Sequence, residues 1–404
     1  MTDSPLQRQA LRRWLSWLSA IASATLLLIA CGGGVVVGSA GVGSGGTGAA
    51  VKGPVTGFGS VFVNGVRFDD SSASITIDDV PRQSKDLLRL GMMVEINGSS
   101  NPSLATGIAN SITSFSYAKG PISDKTPVNN PNTLTVLGLT IAVTPGTAFE
   151  GVQDLAGLQI NNVVEVHGTP DGHGGLKATY IKLESDLDDV RLVGLVGPVK
   201  NLIPDVQTFT LYGTKVQYSP GTKFDNLPNG LTNDVVVRVK GGLVPAAPSP
   251  TIEASSIRAV TVDSLSNQGE HVEIYGIVTD FVSLDNFKVG GLTVNAASSE
   301  IQGTDPANDV PVEVEGTIDN GVLLATKVTS RDGSQSEQVE LHGLVSGLNQ
   351  GNKTFMLRNE IVRWNNNAVF APPLSPTNLA GATVKVIGEI VDGDVMATSI
   401  ALEN

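Results

Sequence analysis

The side chains most able to do chemistry are few and scattered. The sequence has four histidines, His167, His173, His271 and His342, and a single cysteine, Cys31. Metal sites require such ligands at short, regular spacing, for example i and i+2 on one strand face or a cysteine pair. None of these residues has such a neighbour, so we expect no metal site and no cofactor. We expect His167, at an outward strand position, and His173, in a glycine-rich turn, to be solvated.

The acidic residues and serines do not form a sequence pattern that indicates a calcium loop or a catalytic nucleophile. Aspartates cluster at Asp69-Asp70, Asp78-Asp79, 185–189 and 392–394. No cluster follows the calcium-loop pattern with its later glutamate. We interpret them as turn and surface residues, with weak calcium binding at the 185–189 group as the alternative. The nucleophile pattern Gly-x-Ser-x-Gly does not occur in residues 51–404. The sequence therefore predicts a protein that is not an enzyme.

Three aromatic residues are the candidate ligand contacts. Trp364, Tyr212 and Tyr218 fall on predicted strands. Small β-barrels often bind oligosaccharides or oligonucleotides on one strand face, and stacking on such rings would be the means. Phe149 and Phe224 recur at one loop position, and we expect them to plug barrel ends.

The single cysteine lies in the pattern of a membrane anchor. An arginine-containing start precedes an apolar run, Trp14–Ala30, as in a secretory signal with a basic n-region and an apolar h-region. The run ends in Leu28, Ile29, Ala30 and Cys31, which resembles the lipobox of bacterial lipoproteins, where the peptidase cuts before a cysteine that receives lipids. By that resemblance, residues 1–30 are a lipoprotein signal peptide and Cys31 is the lipidation site. The alternative is a buried cysteine at the end of a transmembrane anchor.

Residues 31–50 read as a tether after the lipidated cysteine. From Gly32 onward this segment has no charge, no aromatic residue and many glycines, and such a coil reaches roughly 20–25 Å. Gly32 follows the cysteine. In bacterial lipoproteins, a residue other than aspartate at this position resembles the signal for sorting to the outer membrane. We therefore expect a lipid-anchored protein of the cell envelope, in the outer membrane and facing the periplasm or the surface.

The charge balance argues against nucleic acid as a partner. The chain carries 26 Lys and Arg against 39 Asp and Glu, a net charge of −13, and loss of the arginine-rich first 30 residues makes it more acidic. Nucleic-acid binding depends on basic surface that neutralises phosphate. The membrane, through the lipid, and an unknown envelope protein or glycan remain as expected partners.

The elements that must position these residues are organised by a repeated pentapeptide, which we call the ruler motif. Its five copies are Val94-Glu-Ile-Asn-Gly98, Val164-Glu-Val-His-Gly168, Val237-Arg-Val-Lys-Gly241, Val312-Glu-Val-Glu-Gly316 and Val384-Lys-Val-Ile-Gly388. Alternating branched apolar residues indicate a half-buried strand, and the glycine indicates a turn or a bulge at its end. The copies lie 70 to 75 residues apart, a period that indicates repeated structural units.

Each unit reads as three strands, a loop with a helical turn, and two more strands. The predicted repeats, numbered first to fifth, are 51–117, 118–187, 190–263, 270–331 and 338–404. The polar joints 185–189, 264–269 and 332–337 read as domain boundaries. The sequence thus predicts an all-β protein of five tandem, small, five-stranded barrels of the OB type, with small β-sandwiches as the runner-up.

Four short motifs together resemble the bacterial envelope domain of unknown function 5666. They are an opening Gly-x-Val/Ile, a Pro-Gly-Thr-x-Phe loop at 145–149 and 220–224, the ruler motif, and a closing Ala-x-x-Ile/Val. The resemblance implies a lipoprotein with tandem β-barrel repeats and no known activity. We expect a membrane-anchored, non-catalytic scaffold or binding module, or alternatively a carbohydrate-binding, lectin-like surface protein. Ligand contacts should lie in loops that vary between ruler motifs, first of all 204–215 and 365–378.

Overall fold

The computed structural model describes residues 48–82, 84–101, 104–126, 132–185, 192–244, 250–260, 271–331 and 338–403. This part of the chain consists of β-strands, turns and short 3-10 helices, without an α-helix. The all-β prediction is therefore confirmed. Cys31, the lipobox, the predicted signal peptide and the joints 264–269 and 332–337 lie outside the described residues, as does most of the 185–189 joint. The predicted tether 31–50 is wrong at its end, because the first strand begins at Gly48 and buries Ala49 and Ala50.

The strands follow the five predicted repeats in order. The first repeat holds β1 (Gly48–Phe58), β2 (Val61–Val63), β3 (Val66–Asp69), β4 (Ser74–Ile77), β5 (Val80–Arg82), β6 (Met93–Asn101) and β7 (Thr106–Ser114). The second holds β8 (Ala118–Lys125), β9 (Thr133–Val136), β10 (Leu139–Ala142), β11 (Ala148–Glu150), β12 (Val163–Pro170) and β13 (Leu176–Leu183). The third holds β14 (Leu192–Pro198), β15 (Lys200–Ile203), β16 (Thr208–Leu211), β17 (Thr214–Gln217), β18 (Lys223–Asp225), β19 (Val236–Val244) and β20 (Thr251–Ala259).

The last two repeats hold six strands each. The fourth holds β21 (His271–Ser283), β22 (Asn286–Val289), β23 (Leu292–Asn295), β24 (Glu300–Gln302), β25 (Pro311–Asp319) and β26 (Val322–Ser330). The fifth holds β27 (Gln338–Leu344), β28 (Ser346–Asn349), β29 (Thr354–Leu357), β30 (Glu360–Phe370), β31 (Thr383–Val391) and β32 (Asp394–Leu402). The 3-10 helices are Lys85–Leu87, Leu155–Gly157, Pro204–Val206 and Pro376–Asn378. The first two fall where the sequence predicted a helical turn.

Strand pairing closes small five-stranded barrels. In the second repeat β8 pairs with β9, β9 with β10, β10 in parallel with β13, β13 with β12, and β12 with β8 again. The fourth repeat closes in the same way through β21, β22, β23, β26 and β25. A ring of this kind has no free edge, and the runner-up sandwich is therefore wrong for these segments. The barrels belong to two sheets.

The ruler glycine marks a β-bulge rather than a turn. In all five copies the register shifts at the glycine, which lies opposite an alanine of the last strand; the pairs are Gly98 with Ala109, Gly168 with Ala178, Gly241 with Ala254, Gly316 with Ala325 and Gly388 with Ala397. A Cβ at Gly98 would lie 1.9 Å from the Ile108 carbonyl oxygen. Only glycine allows that approach, and the strand continues beyond it, so the expectation that the strand ends there is wrong.

The hairpin predicted at Asn64-Gly65 is confirmed. Both residues have positive φ, 52° and 80°, as a two-residue type I′ turn requires. Tyr212 and Gly213 turn the corresponding hairpin of the third repeat in the same way, with φ of 49° and 83°.

The Pro-Gly-Thr-x-Phe motif fastens a loop to the last strand. The Thr147 hydroxyl accepts a hydrogen bond from the Thr144 N–H (3.0 Å) and donates one to the Ala178 carbonyl (3.0 Å). Thr222 donates to the Ala254 carbonyl in the same way (2.7 Å). The loop is therefore tied to the alanine that faces the ruler glycine, which explains why the two motifs occur together.

The barrels join through strands that are far apart in sequence. The opening strand β1 pairs in parallel with β21 of the fourth repeat and with β27 of the fifth. The second and third repeats join through β8 and β14. The first repeat is thus joined by direct sheet pairing to the fourth and the fifth. The buried hydrophobic residues form three clusters, one shared mainly by the first and fifth repeats, one by the second and third, and one mainly in the fourth.

Candidate binding cleft

A cleft of about 370 Å³ lies where the first four repeats meet. Its walls include Lys52, Phe115, Tyr117, Tyr212 and Tyr275, and we call this space the junction cleft. Apolar walls with a few polar groups are typical of small-molecule sites. Two other clefts between repeats both contain the ion pair of Arg89 with Glu150 and have no cluster of aromatic rings like that of the junction cleft, which is therefore the candidate site.

Two tyrosines from different repeats meet in this cleft. The hydroxyl oxygens of Tyr117 and Tyr212 lie 3.2 Å apart. Tyr212 is held by its type I′ turn and by packing on Gly197, where a Cβ would come within 2.5 Å of the ring. Burial raises the pKa of both phenols, so both are neutral at physiological pH. The pair offers a ligand one ring edge and two hydroxyl groups.

The backbone of Tyr117 fixes the position of this pair. Its N–H donates to the Val166 carbonyl of the second repeat (2.8 Å), and its carbonyl accepts from the Val196 N–H of the third (2.8 Å). The ring is therefore anchored by the ladder that joins two barrels. No motif in the sequence indicates this bridge, because it is formed by main-chain atoms of separate repeats.

Lys52 places an amine in the cleft. It lies on β1 opposite Glu95 of the ruler strand β6. Burial lowers the pKa of Lys52, and the charge of Glu95 acts in the opposite direction. The cleft thus combines aromatic rings with a cation that has a carboxylate on the neighbouring strand.

The three aromatic residues predicted to contact a ligand do not come together. Tyr212 lines the junction cleft. Tyr218 is half-buried and packs between Phe209 and Phe224, at ring-centroid distances of 6.2 and 5.7 Å. Trp364 is only 5% exposed and lies in the core of the fifth repeat. Stacking of a ligand on Trp364 remains a prediction that would require these core contacts to be given up.

The two phenylalanines at the recurrent loop position differ in their surroundings. Phe149 packs against the core of the second repeat. Phe224 is 48% exposed and stands edge-on to Tyr218. The prediction that these rings close the ends of barrels therefore fits Phe149 better than Phe224.

The expectation that His167 is solvated is wrong. His167 is fully buried, with Nε2 3.1 Å from Glu165 Oε1 and its ring edge-on to Tyr180. Tyr180 belongs to a hydrophobic cluster that contains Leu88 and Leu90 of the first repeat. The outward face of this ruler strand is therefore covered by another barrel. His173, in contrast, is exposed and pairs with Asp309 across 2.8 Å.

Outward ruler residues of the third repeat bind the first repeat electrostatically. Arg238 and Lys240 both pair with Asp79, Lys240 through a contact of 3.0 Å. Burial alone would raise the pKa of Asp79, but hydrogen bonds from the two cations outweigh it and lower the pKa. The Asp78-Asp79 cluster, which we interpreted as a surface turn, is thus an interface between barrels.

Two further properties concern metals and membranes. Among the residues that the structure describes, no group of three or more His, Cys, Asp or Glu side chains is placed to hold a metal ion. No helix in the described ranges is long and apolar enough to cross a membrane.

The fold and the cleft define a class of all-β protein in which small closed barrels meet around a common space. Residues 119–182, 196–247 and 275–329 match the family Domain of unknown function (DUF5666). The chain therefore contains tandem repeats of this domain, in the second, third and fourth repeats. A search of curated proteins found no match.

Proposed function

We propose that this protein is a non-catalytic binding or scaffold module of the cell envelope, built of five tandem OB-like barrels. Cys31 holds it to the outer membrane through lipid, and the chain between Cys31 and the start of β1 at Gly48 acts as the tether. The ligand occupies the junction cleft. The observation that carries this proposal is the convergence of aromatic side chains and a half-buried lysine from separate repeats on one space.

The arrangement of the cleft supports binding rather than catalysis. Its phenols are neutral, and burial lowers the pKa of its amine while a carboxylate on the neighbouring strand favours the charged form. Such groups orient a ligand by hydrogen bonds and contact. Because the walls come from four repeats, the site exists only when the barrels are assembled. A function that depends on assembly also explains why the repeats are joined by sheet pairing.

Binding is tested by affinity capture from envelope extract. The bait is the chain without residues 1–30 and with Cys31→Ser, compared with the same bait carrying Tyr212→Ala. We expect a component that the first bait retains and the second loses. Lys223→Ala, on an exposed strand away from the cleft, is the matched control and should retain the component. Equal retention of the component by the baits with and without Tyr212→Ala would exclude the junction cleft as the site.

The membrane anchor is tested separately by fractionation. Cys31→Ser in the full-length chain should move the protein from the membrane fraction to the soluble fraction, because no lipid can be attached. Retention of the variant in the membrane fraction would contradict lipidation at Cys31.

A carbohydrate ligand is the second candidate, favoured by the rings and hydroxyls of Tyr117 and Tyr212. Sugars bind through stacking on aromatic faces and hydrogen bonds from such groups. A glycan screen with wild type and Tyr212→Ala should show saturable binding that the variant loses. Trp364→Ala is unsuitable for this purpose, because loss of a buried tryptophan costs about 3–5 kcal/mol of stability.

A further inference from the structure

A second pocket, of about 340 Å³, lies between the first and fourth repeats and is separate from the junction cleft. Glu273, Glu313 and Glu315 line it from the fourth repeat, and Asn64 and Ser100 line it from the first. We call it the carboxylate pocket.

Two of its three carboxylates already have cationic partners. Lys327 Nζ lies 2.7 Å from Glu315 Oε1, and Arg331 pairs with Glu313. Glu273 is 4% exposed; Asn64 hydrogen-bonds its carboxyl group, but its Oε1 atom has no hydrogen-bond partner. Within the described residues, therefore, one buried carboxyl group of this pocket lacks a cation of its own.

An independent group in the same pocket is also unsatisfied. Ser100, 9% exposed and contributed by the first repeat, has a hydroxyl oxygen without a hydrogen-bond partner. Buried polar atoms without partners are costly and uncommon, and a missing ligand is one explanation. Glu273 Oε1 and Ser100 Oγ can each accept a hydrogen bond from a donor that is not part of this chain.

An ammonium group has the chemistry that these atoms lack. It carries three N–H donors and no acceptor, so it can bond to a carboxylate and to neutral oxygens together. A metal ion is a poorer fit, because no cluster of three ligating side chains occurs among the described residues. We propose that the carboxylate pocket binds a small primary amine, with Glu273 as its counter-ion and Ser100 as a further acceptor.

Binding involves a balanced exchange of a proton. Burial, followed by the charges of Glu313 and Glu315, raises the pKa of Glu273 to about 9, so the free pocket holds a neutral carboxylic acid at pH 7.5. When R–NH₃⁺ enters, the acid loses its proton to solvent and the carboxylate pairs with the ammonium. One proton is released for each amine bound.

The test is calorimetric titration of the full-length chain in detergent with n-butylamine at pH 7.5. Phosphate and MOPS buffers, which differ in ionisation enthalpy, report the proton that is released. The neutral analogue n-butanol and tetramethylammonium, which has no N–H group, are the control probes. We expect saturable binding of butylamine alone, with about one proton released.

Variants assign the binding to the proposed residues. Glu273→Gln should weaken binding roughly 10- to 100-fold, because a hydrogen-bonded charge is lost. Ser100→Ala should weaken it several-fold. Glu340→Gln, at the equivalent position of the fifth repeat, should leave it unchanged. Thermal melting checks that each variant is folded.

Three results would overturn the proposal. They are no saturable binding of butylamine to the wild type, equal affinity of the Glu273→Gln variant, and binding of tetramethylammonium as tight as that of butylamine. None of these results bears on the junction cleft, whose test uses Tyr212→Ala.

Discussion

Glu273 and Glu340 occupy the same position in two barrels and have opposite electrostatic surroundings. Each lies three residues before the glycine of its opening strand, and each is in register with β1, at Val51 and Gly57 respectively. Burial and neighbouring carboxylates raise the pKa of Glu273 to about 9. Burial also opposes the charge of Glu340, but hydrogen bonds from Lys385 and His342 outweigh it and lower the pKa.

The difference arises from the outward residues of the two ruler strands. Glu273 lies across from Glu315, whereas in the fifth repeat Glu340 lies across from Ile387 with Lys385 beside it. The inner faces of these strands carry the same valines, glycine and bulge. The barrels therefore share a framework, and the outward positions decide how each interface responds to pH and to ligands.

The largest expected effect is the pH dependence contributed by Glu273. Its pKa is raised from 4.5 to about 9 on folding, so the folded state holds a proton that the unfolded state releases between these values. Stability should fall as pH rises through this window, by several kcal/mol in order of magnitude. Glu273→Gln should remove the decline and raise the melting temperature at pH 8 to 9. Melting curves from pH 5 to 9 check this, and parallel curves for both proteins would contradict it.

Replacement of the ruler glycine should harm both barrels alike. A Cβ at Gly316 or Gly388 would lie 2.2 or 2.5 Å from a backbone carbonyl oxygen, and forced backbone shifts cost about 3 kcal/mol. Gly242→Ala is the control, because its Cβ would meet nothing within 4 Å. Denaturant unfolding measures the three variants. A mild effect at Gly316 and a severe one at Gly388 would show that the two frameworks are not equivalent.

Loss of the charge on Glu340 should have the opposite sign to loss of the charge on Glu273. Because its folded pKa is lowered, Glu340 stabilises the fold above its unfolded pKa and loses this effect as pH falls through the folded value. Glu340→Gln should cost about 1–2 kcal/mol at pH 7. The cost should disappear in acid. Melting at pH 7 and pH 3.5 compares the two conditions, and a cost that persists at pH 3.5 would point to packing instead of charge.

Lys385→Gln should have the smallest effect. Its amine contacts Glu340 at 2.8 Å, but both side chains are partly exposed, and pairs of this kind contribute about 1 kcal/mol or less. Without Lys385 the folded pKa of Glu340 should rise, so the loss of stability on acidification should begin at a higher pH. We call this loss the acid limb of the stability curve. Lys353→Gln, which alters an exposed lysine elsewhere in the same repeat, serves as the control and should leave that limb in place.

Local patterns in the sequence predict the barrel, and they fail where barrels meet. Period-two alternation and the Asn64-Gly65 turn depend on neighbouring residues, so the ruler strands and this hairpin could be placed. The outward position of His167 was also predicted, but not its burial, because Tyr180, which packs on its ring, shares a hydrophobic cluster with Leu88 and Leu90 of another repeat. Alternation distinguishes the two faces of a strand and does not show whether the outer face meets water or a second barrel.

The candidate site was only partly predictable for the same reason. The variable segment 204–215 was expected to hold ligand contacts, and it contributes Tyr212 to the junction cleft. Lys52 and Tyr117 carry no motif and come from other repeats. Nothing in the local sequence distinguishes Glu273 from other glutamates on strands. Its special surroundings arise from Glu315 on the neighbouring strand and from Ser100 in the same pocket. Contacts between segments so far apart in sequence cannot be read from local spacing.

The pairing of β1 with β21 and β27 has a consequence for the order in which the protein can form. Val51 and its partner Glu273 are more than 200 residues apart in the chain, and Gly57 and Glu340 are farther apart still. Closing such long loops is slow. During synthesis the first repeat emerges well before its partners, so the outer edge of β1 stays uncovered until the last repeat has arrived. A chaperone that shields β1 in this interval would speed maturation, and a chain cut short after the third repeat would leave that edge open to aggregation.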